Sequence, residues 1–144
     1  MNTNLNQIIL EYTKTELDEV MGQVQESDLS QYLCYYWAYI FYKLYGGTLC
    51  SLKIKAELKN EKDIDKIYEH AFVIKNDYYY DSRYSTSGLK DIQHFLPNSS
   101  EFNINDYFVK EYDNEDDFLN DWNVLDQKTK YDKAILKIKR KLTN

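Results

Sequence analysis

The residue types that could carry covalent chemistry are few: two cysteines, Cys34 and Cys50, and two histidines, His70 and His94. A thiolate attacks a carbonyl carbon far better than a thiol does, and an isolated cysteine is mostly protonated near neutrality, so a reactive cysteine needs a base. Each candidate also has a plainer reading. Cys34 lies in an apolar stretch and can serve as core filler, Cys50 falls at a strand start and reads as buried filler, and His94 beside Phe95 reads as structural. For Cys34 the nucleophile and the filler both stay open. No pair among the four has the short spacing of zinc-finger or ribbon ligands, so neither a metal nor another cofactor is expected. A core of ordinary size in an intracellular setting makes free thiols the expectation over a disulfide.

Positioning these groups falls to a recognisable series of elements. Leu5, Ile8, Ile9, Tyr12, Leu17 and Val20 recur at mostly helical spacing and predict an amphipathic helix. Asp28 followed by Gln31 resembles a capping box. Leu33, Trp37, Ile40, Phe41 and Leu44 then form the stripe of a second helix, which Gly46-Gly47 stops. Cys34 would then sit in the second turn of that helix. Alternation from Leu49 to Leu58 predicts a half-buried strand, and the polar stretch Asn60 to Lys66 reads as a loop or short helical turn. Tyr68 to Lys75 and Tyr78 to Asp81 flank Asn76-Asp77, a hairpin pattern. A tight two-residue turn would set residue 70 opposite residue 83, leaving Asp81 diagonal to His70 on the same face. A turn centred on Asn76 would pair them directly.

Downstream, Ser82 to Ser87 reads as a loop and Leu89 to Phe95 as a short helix stopped near Pro97. Tyr107 to Tyr112 reads as a strand, the acidic run Asp113 to Asp117 opens a short helix reaching Trp122, and Lys130 to Leu142 forms a final helix. The order implies a single α+β domain over residues 1–144, with N-terminal helices packed on a mostly antiparallel sheet and a C-terminal helix.

Apolar residues at 43% and charged residues at 29% exclude a disordered tail. The most apolar run, Leu33 to Leu52, is interrupted by Lys43 and the two glycines, so no membrane association is expected. The opening residues lack the basic and apolar segments of a secretory signal, so a cytoplasmic location is expected. The net charge of −6 is uneven: Lys128, Lys130, Lys133, Lys137, Lys139, Arg140 and Lys141 face one acid, Asp132, in the last segment. The rest of the chain is correspondingly more acidic and would repel nucleic acid, leaving the basic C-terminal helix as the exception. Lysines near the negative end of a helix explain that cluster without a ligand.

Two blocks carry a resemblance. Cys34-Tyr35-Tyr36-Trp37-Ala38-Tyr39-Ile40-Phe41, ending in Gly46-Gly47, resembles the nucleophile helix of the papain-like superfamily, particularly its small bacterial and phage members and transglutaminase-like proteins. His70-Ala71-Phe72-Val73-Ile74-Lys75 and Tyr79-Tyr80-Asp81-Ser82 resemble that family's histidine strand and the next strand with its acidic residue. The matching blocks span roughly residues 30–84. The resemblance implies a papain-like core in which Cys34 is the nucleophile, His70 the acid and base, and Asp81 the group that orients the imidazole. Gln31 and Gln25, by proximity, are weak candidates for holding the substrate oxyanion, although Gln31 serves the capping box equally well. Arg83 is a weak candidate for holding a substrate carboxylate, although a surface ion pair explains Arg83 as well.

Two functions follow. One is a thiol hydrolase or acyltransferase acting on a peptide or amide bond, with a protein or peptide substrate. The other is a non-catalytic acidic scaffold that binds a protein partner, as a phage anti-defence inhibitor or immunity-type protein would, using tyrosine-rich contact surface.

Overall fold

The computed structural model describes residues 5–12, 33–58, 61–82, 85–87 and 102–143. Helix α1 covers residues 5–12, and α2 covers Cys34–Tyr45. Five strands follow: β1 Thr48–Leu58, β2 Glu61–Lys75, β3 Tyr78–Tyr80, β4 Ser85–Ser87 and β5 Phe102–Glu111. Then come α3 Glu115–Asp121, a short 3-10 turn Leu125–Gln127, and α4 Lys128–Thr143. The strands form one sheet in the order β4-β3-β2-β1-β5, and every pairing in it is antiparallel. The α+β class expected from the sequence is the one observed. No helix among the described residues is long and apolar enough to cross a membrane.

The alternation of β1 and β2 divides the core in two. On one face, Leu49, Ala71 and Val73 pack under α2, with Leu5 and Ile9 of α1, Phe118 and Leu119 of α3, and Tyr131, Ile135 and Ile138 of α4. On the other face, Cys50, Leu52, Ile54, Phe72 and Tyr79 form a second buried cluster. Cys34 belongs to the first and Cys50 to the second, and both are buried free thiols.

Several expectations are corrected. The stretch read as a loop or short helical turn from Asn60 to Lys66 is extended from Glu61 onward, because β1 offers it backbone partners as far as Leu58, with a register shift between Glu57 and Leu58. Ladder hydrogen bonds hold a strand whatever its side chains are. Likewise the Ser82 to Ser87 stretch contains β4, paired with β3 residue by residue from Tyr78↔Ser87 to Tyr80↔Ser85. Helix α2 begins at Cys34, since Leu33 has φ −117° and ψ 26°, outside the helical region, and supplies no side-chain cap. The part of the predicted first helix beyond residue 12, the Asp28–Gln31 capping pattern, and the Leu89 to Phe95 helix with His94 and Pro97 lie outside the described residues.

The turn between β2 and β3 is the tight two-residue form. Asn76 (φ 52°) and Asp77 (φ 68°) both take left-handed backbone, a conformation their short polar side chains tolerate best after glycine. At the other end of the helix layer, Gly47 has φ 102°, and a Cβ there would stand 2.7 Å from the Ile74 carbonyl oxygen. Only glycine lets the α2–β1 connection lie this close to β2.

Candidate functional site

The tight turn fixes the register of β2 against β3 at Val73↔Tyr80 and Lys75↔Tyr78. Counting on, Asp81 stands opposite Phe72, one step past the last ladder pair, so it is diagonal to His70. His70 and Asp81 have the parity of Phe72 and Tyr79 and therefore share the second face of the sheet. The His70 ring lies 6.5 Å from that of Phe72, centroid to centroid. Diagonal neighbours are within reach of one another, and His70 Nε2 is 3.0 Å from Asp81 Oδ2. Both residues are buried, at 6% and 5% exposure.

Cys34 reaches the same place from the other side. Along β2 the backbone groups of residues 70 and 72 turn toward β1, and those of 71 and 73 toward β3. Because β3 ends at Tyr80, the Ala71 N–H has no ladder partner in β3. It donates instead to Cys34 Sγ, 3.4 Å away. A buried backbone N–H without an acceptor is costly, so the sulfur completes the edge of the sheet. The Ala71 nitrogen is bonded directly to the His70 carbonyl carbon, at about 1.33 Å. The sulfur therefore rests against the backbone between His70 and Ala71, just past the end of the β3 ladder.

The start of α2 at Cys34 places the thiol in the first helical turn, where the N-terminal dipole favours an anion. Burial works against it: at 2% exposure, desolvation pushes the Cys34 thiol up from 9.0 to about 11. The N–H groups of Ala71, Tyr35 and Cys34 itself pull it down, and the nearby charge of Asp81 raises it further. Desolvation wins, so Cys34 is a neutral thiol at rest. Cys50, wholly buried on the other face, is pushed higher still, to about 12, by desolvation and then by Glu111.

A residue that the sequence reading missed ties these parts together. Asn6, 6% exposed, accepts from Trp37 Nε1 (2.7 Å) and donates through Nδ2 to the Ser82 carbonyl (2.7 Å). Trp37 is one turn along α2 from Cys34, and Ser82 directly follows Asp81. Asn6 thus pins the cysteine helix to the chain that carries the carboxylate. Its signal was present in the sequence as an amide between Leu5 and Ile9 on the apolar side of α1. Another unforeseen set links α2, α3 and α4: Tyr39 Oη lies 2.8 Å from Glu115 Oε2 and 2.6 Å from Asp132 Oδ1, with Lys43 and Lys128 beside Glu115.

Of these sequence candidates, Cys34, His70 and Asp81 are brought together around residues 70–71 of β2, just past the end of β3, while Gln31, Gln25 and Arg83 lie outside the described residues. No group of three or more metal-ligating side chains occurs among the described residues. Comparison with protein-family models, with curated proteins and with solved structures returned no match.

Proposed function

We propose that the chain is a thiol hydrolase or acyltransferase of papain-like type that cleaves or transfers at a peptide or amide bond through an acyl-enzyme on Cys34. The observation that carries this reading is the seating of the Cys34 sulfur on the amide next to His70, whose Nε2 is already engaged by Asp81. In this reading His70 Nδ1 takes the thiol proton as sulfur attacks the carbonyl carbon, because Nε2 is committed to the carboxylate. The proton then passes to the departing amine, the C–N bond breaks, and water or an acceptor amine releases the acyl group. A resting thiol with a pKa of about 11 makes this general-base transfer in the attacking step rather than a standing thiolate–imidazolium pair.

One observation favours the alternative, a non-catalytic papain-like scaffold that binds a protein: Cys34 is 2% exposed. The two readings part in a single experiment. The wild type and the Cys34→Ala and His70→Ala variants are incubated with a peptide library carrying acyl and amide reporters, and the acyl-enzyme is sought by intact mass after acid quench. An adduct on Cys34 that disappears in both variants supports the thiol enzyme. No adduct and no turnover, in a wild-type chain that is folded and holds a partner equally well in all three forms, refutes it in favour of the scaffold.

A further inference from the structure

We infer that β5 is a self-complementary edge at which a second copy of this chain pairs antiparallel about a two-fold axis through Phe108. Among the described residues β5 stands at the end of the sheet and has one neighbour, β1. Its Tyr107 and Phe108 are 47% and 55% exposed, one on each face of the sheet. An edge strand that is long, aromatic and, among the described residues, paired on one side only is the kind other chains add to.

Which backbone groups are offered follows from the ladder. Tyr112 N–H donates to the Leu49 carbonyl, and the register runs regularly from Cys50↔Glu111 to Lys55↔Asp106. Residues 106, 108, 110 and 112 therefore bond inward to β1, and Tyr107, Val109 and Glu111 turn their N–H and C=O groups outward. Pairing about Phe108 sets Tyr107 opposite Val109 of the second copy, and the reverse. Outward groups thereby meet outward groups.

The side chains select this centre over its neighbours. Asp106 falls opposite Lys110 of the second copy and Lys110 opposite its Asp106, giving two opposite-charge pairs on one face with Phe108 against Phe108 between them. Phe108 lies at a non-hydrogen-bonded position, where facing side chains come closest. A two-fold axis through residue 107 would instead set Asp106 against Phe108, and one through 109 would set Phe108 against Lys110. Lys110 also touches Asp121 at 3.3 Å, yet its side chain is 48% exposed and has reach on its outer side. An open groove of about 370 Å³ bordered by Lys53, Lys55, Glu69, Asp106 and Phe108 gives the facing ring room. The skipped Asn105, between Asp106↔Lys55 and Ile104↔Ala56, bends the strand and bounds the interface at that end. Each copy uses its β5 once, so assembly closes at two.

The test is sedimentation equilibrium of the full chain over a wide concentration range, with the fold checked by circular dichroism. Wild type is expected to dimerise. Asp106→Lys alone and Lys110→Asp alone each set like charges opposite one another twice and should weaken dimerisation about ten-fold. An equimolar mixture of these two variants restores both opposite-charge pairs and should dimerise as heterodimers. Tyr107→Pro removes an outward N–H without touching the bonds to β1 and should leave a folded monomer. A wild type that stays monomeric overturns the proposal, as does a dimer indifferent to Tyr107→Pro. A mixture of the charge variants that fails to pair overturns the register.

Discussion

At pH 8 a thiol whose pKa is pushed up to about 11 is ionised in about one molecule in a thousand, whereas an ordinary cysteine near 8.5 is about one quarter ionised. On thiolate supply alone Cys34 should react with iodoacetamide roughly 200-fold more slowly than a free cysteine. A thiolate of higher pKa is the stronger nucleophile, with a Brønsted coefficient of about 0.4–0.5, and this recovers roughly ten- to eighteen-fold. The net deficit is about 20-fold before any shielding by neighbouring side chains. The diagnostic quantity is the slope with pH. Between pH 8 and pH 10 the labelling rate at Cys34 should climb about tenfold per unit without a plateau. Peptide mass spectrometry reads Cys34 and Cys50 in the same sample, and Cys50, on the other face of the sheet and at about 12, should label more slowly throughout. Asp81→Asn adds a second arm. It removes a charge that raises the Cys34 pKa, so labelling should become faster. Any turnover that depends on an oriented His70 should become slower. A rate that levels off below pH 8 would refute the neutral-thiol account and show a standing ion pair instead.

Alkali should also weaken the fold. Both thiols have raised pKa values, so the stabilisation from burying them neutral is complete below 9 and is lost as pH rises through about 11 for Cys34 and about 12 for Cys50. The Cys34 share is roughly 2–3 kcal/mol by urea titration. Replacing Asn6 with Ala leaves the Trp37 N–H and the Ser82 carbonyl to find new partners and should cost about 2–3 kcal/mol by the same assay, and on the proposed thiol-enzyme reading turnover should fall further than stability explains. Gly46→Ala and Gly47→Ala should differ in thermal melts. A Cβ at Gly46 meets nothing within 4 Å, so the cost is conformational: φ 84° with ψ −160° is a region essentially reserved for glycine, and the change should cost about 2 kcal/mol. At Gly47 the added carbon strikes the Ile74 carbonyl, and the loss should exceed about 3 kcal/mol. Tyr112→Phe removes the hydroxyl that contacts Asp121 and lies 3.0 Å from Ser51 Oγ. A destabilisation of about 1–3 kcal/mol is expected, with the Asp121 carboxyl, held low chiefly by that hydroxyl, moving back toward its ordinary range by NMR titration.

How much of this was legible in the sequence depends on whether the cause was local. The strand β1, the Asn76-Asp77 hairpin, α3 and α4 announce themselves through side-chain period and turn chemistry, whereas the choice between a diagonal and a direct placement of Asp81 rests on the turn form, which the sequence leaves open. The first residue of α2 was not legible. Asp28 and Gln31 offered a good capping pattern, and nothing near Leu33 signals its non-helical backbone. The polar half of β2 and the serines of β4 were hidden for another reason: a strand held by its neighbour's ladder needs no apolar pattern of its own. The Ala71 N–H bond to Cys34 depends on where β3 stops, and Tyr39 meets Glu115 and Asp132 across 76 and 93 residues of sequence. Contacts set by the ends of elements and by distant packing leave no periodic trace.

The left-handed pair Asn76-Asp77 acts as a ruler. Successive strand residues alternate faces, so one residue more or fewer between His70 and Asp81 would swing the carboxylate to the side of the sheet that α2 covers. The two turn positions can exchange Asn, Asp and Gly freely, because each accepts positive φ. The spacing cannot drift. In any lineage descended from this chain that keeps the His70–Asp81 contact, residue identity at the hairpin tip should vary while the interval from imidazole to carboxylate stays constant, and an insertion there should coincide with loss of the histidine as well.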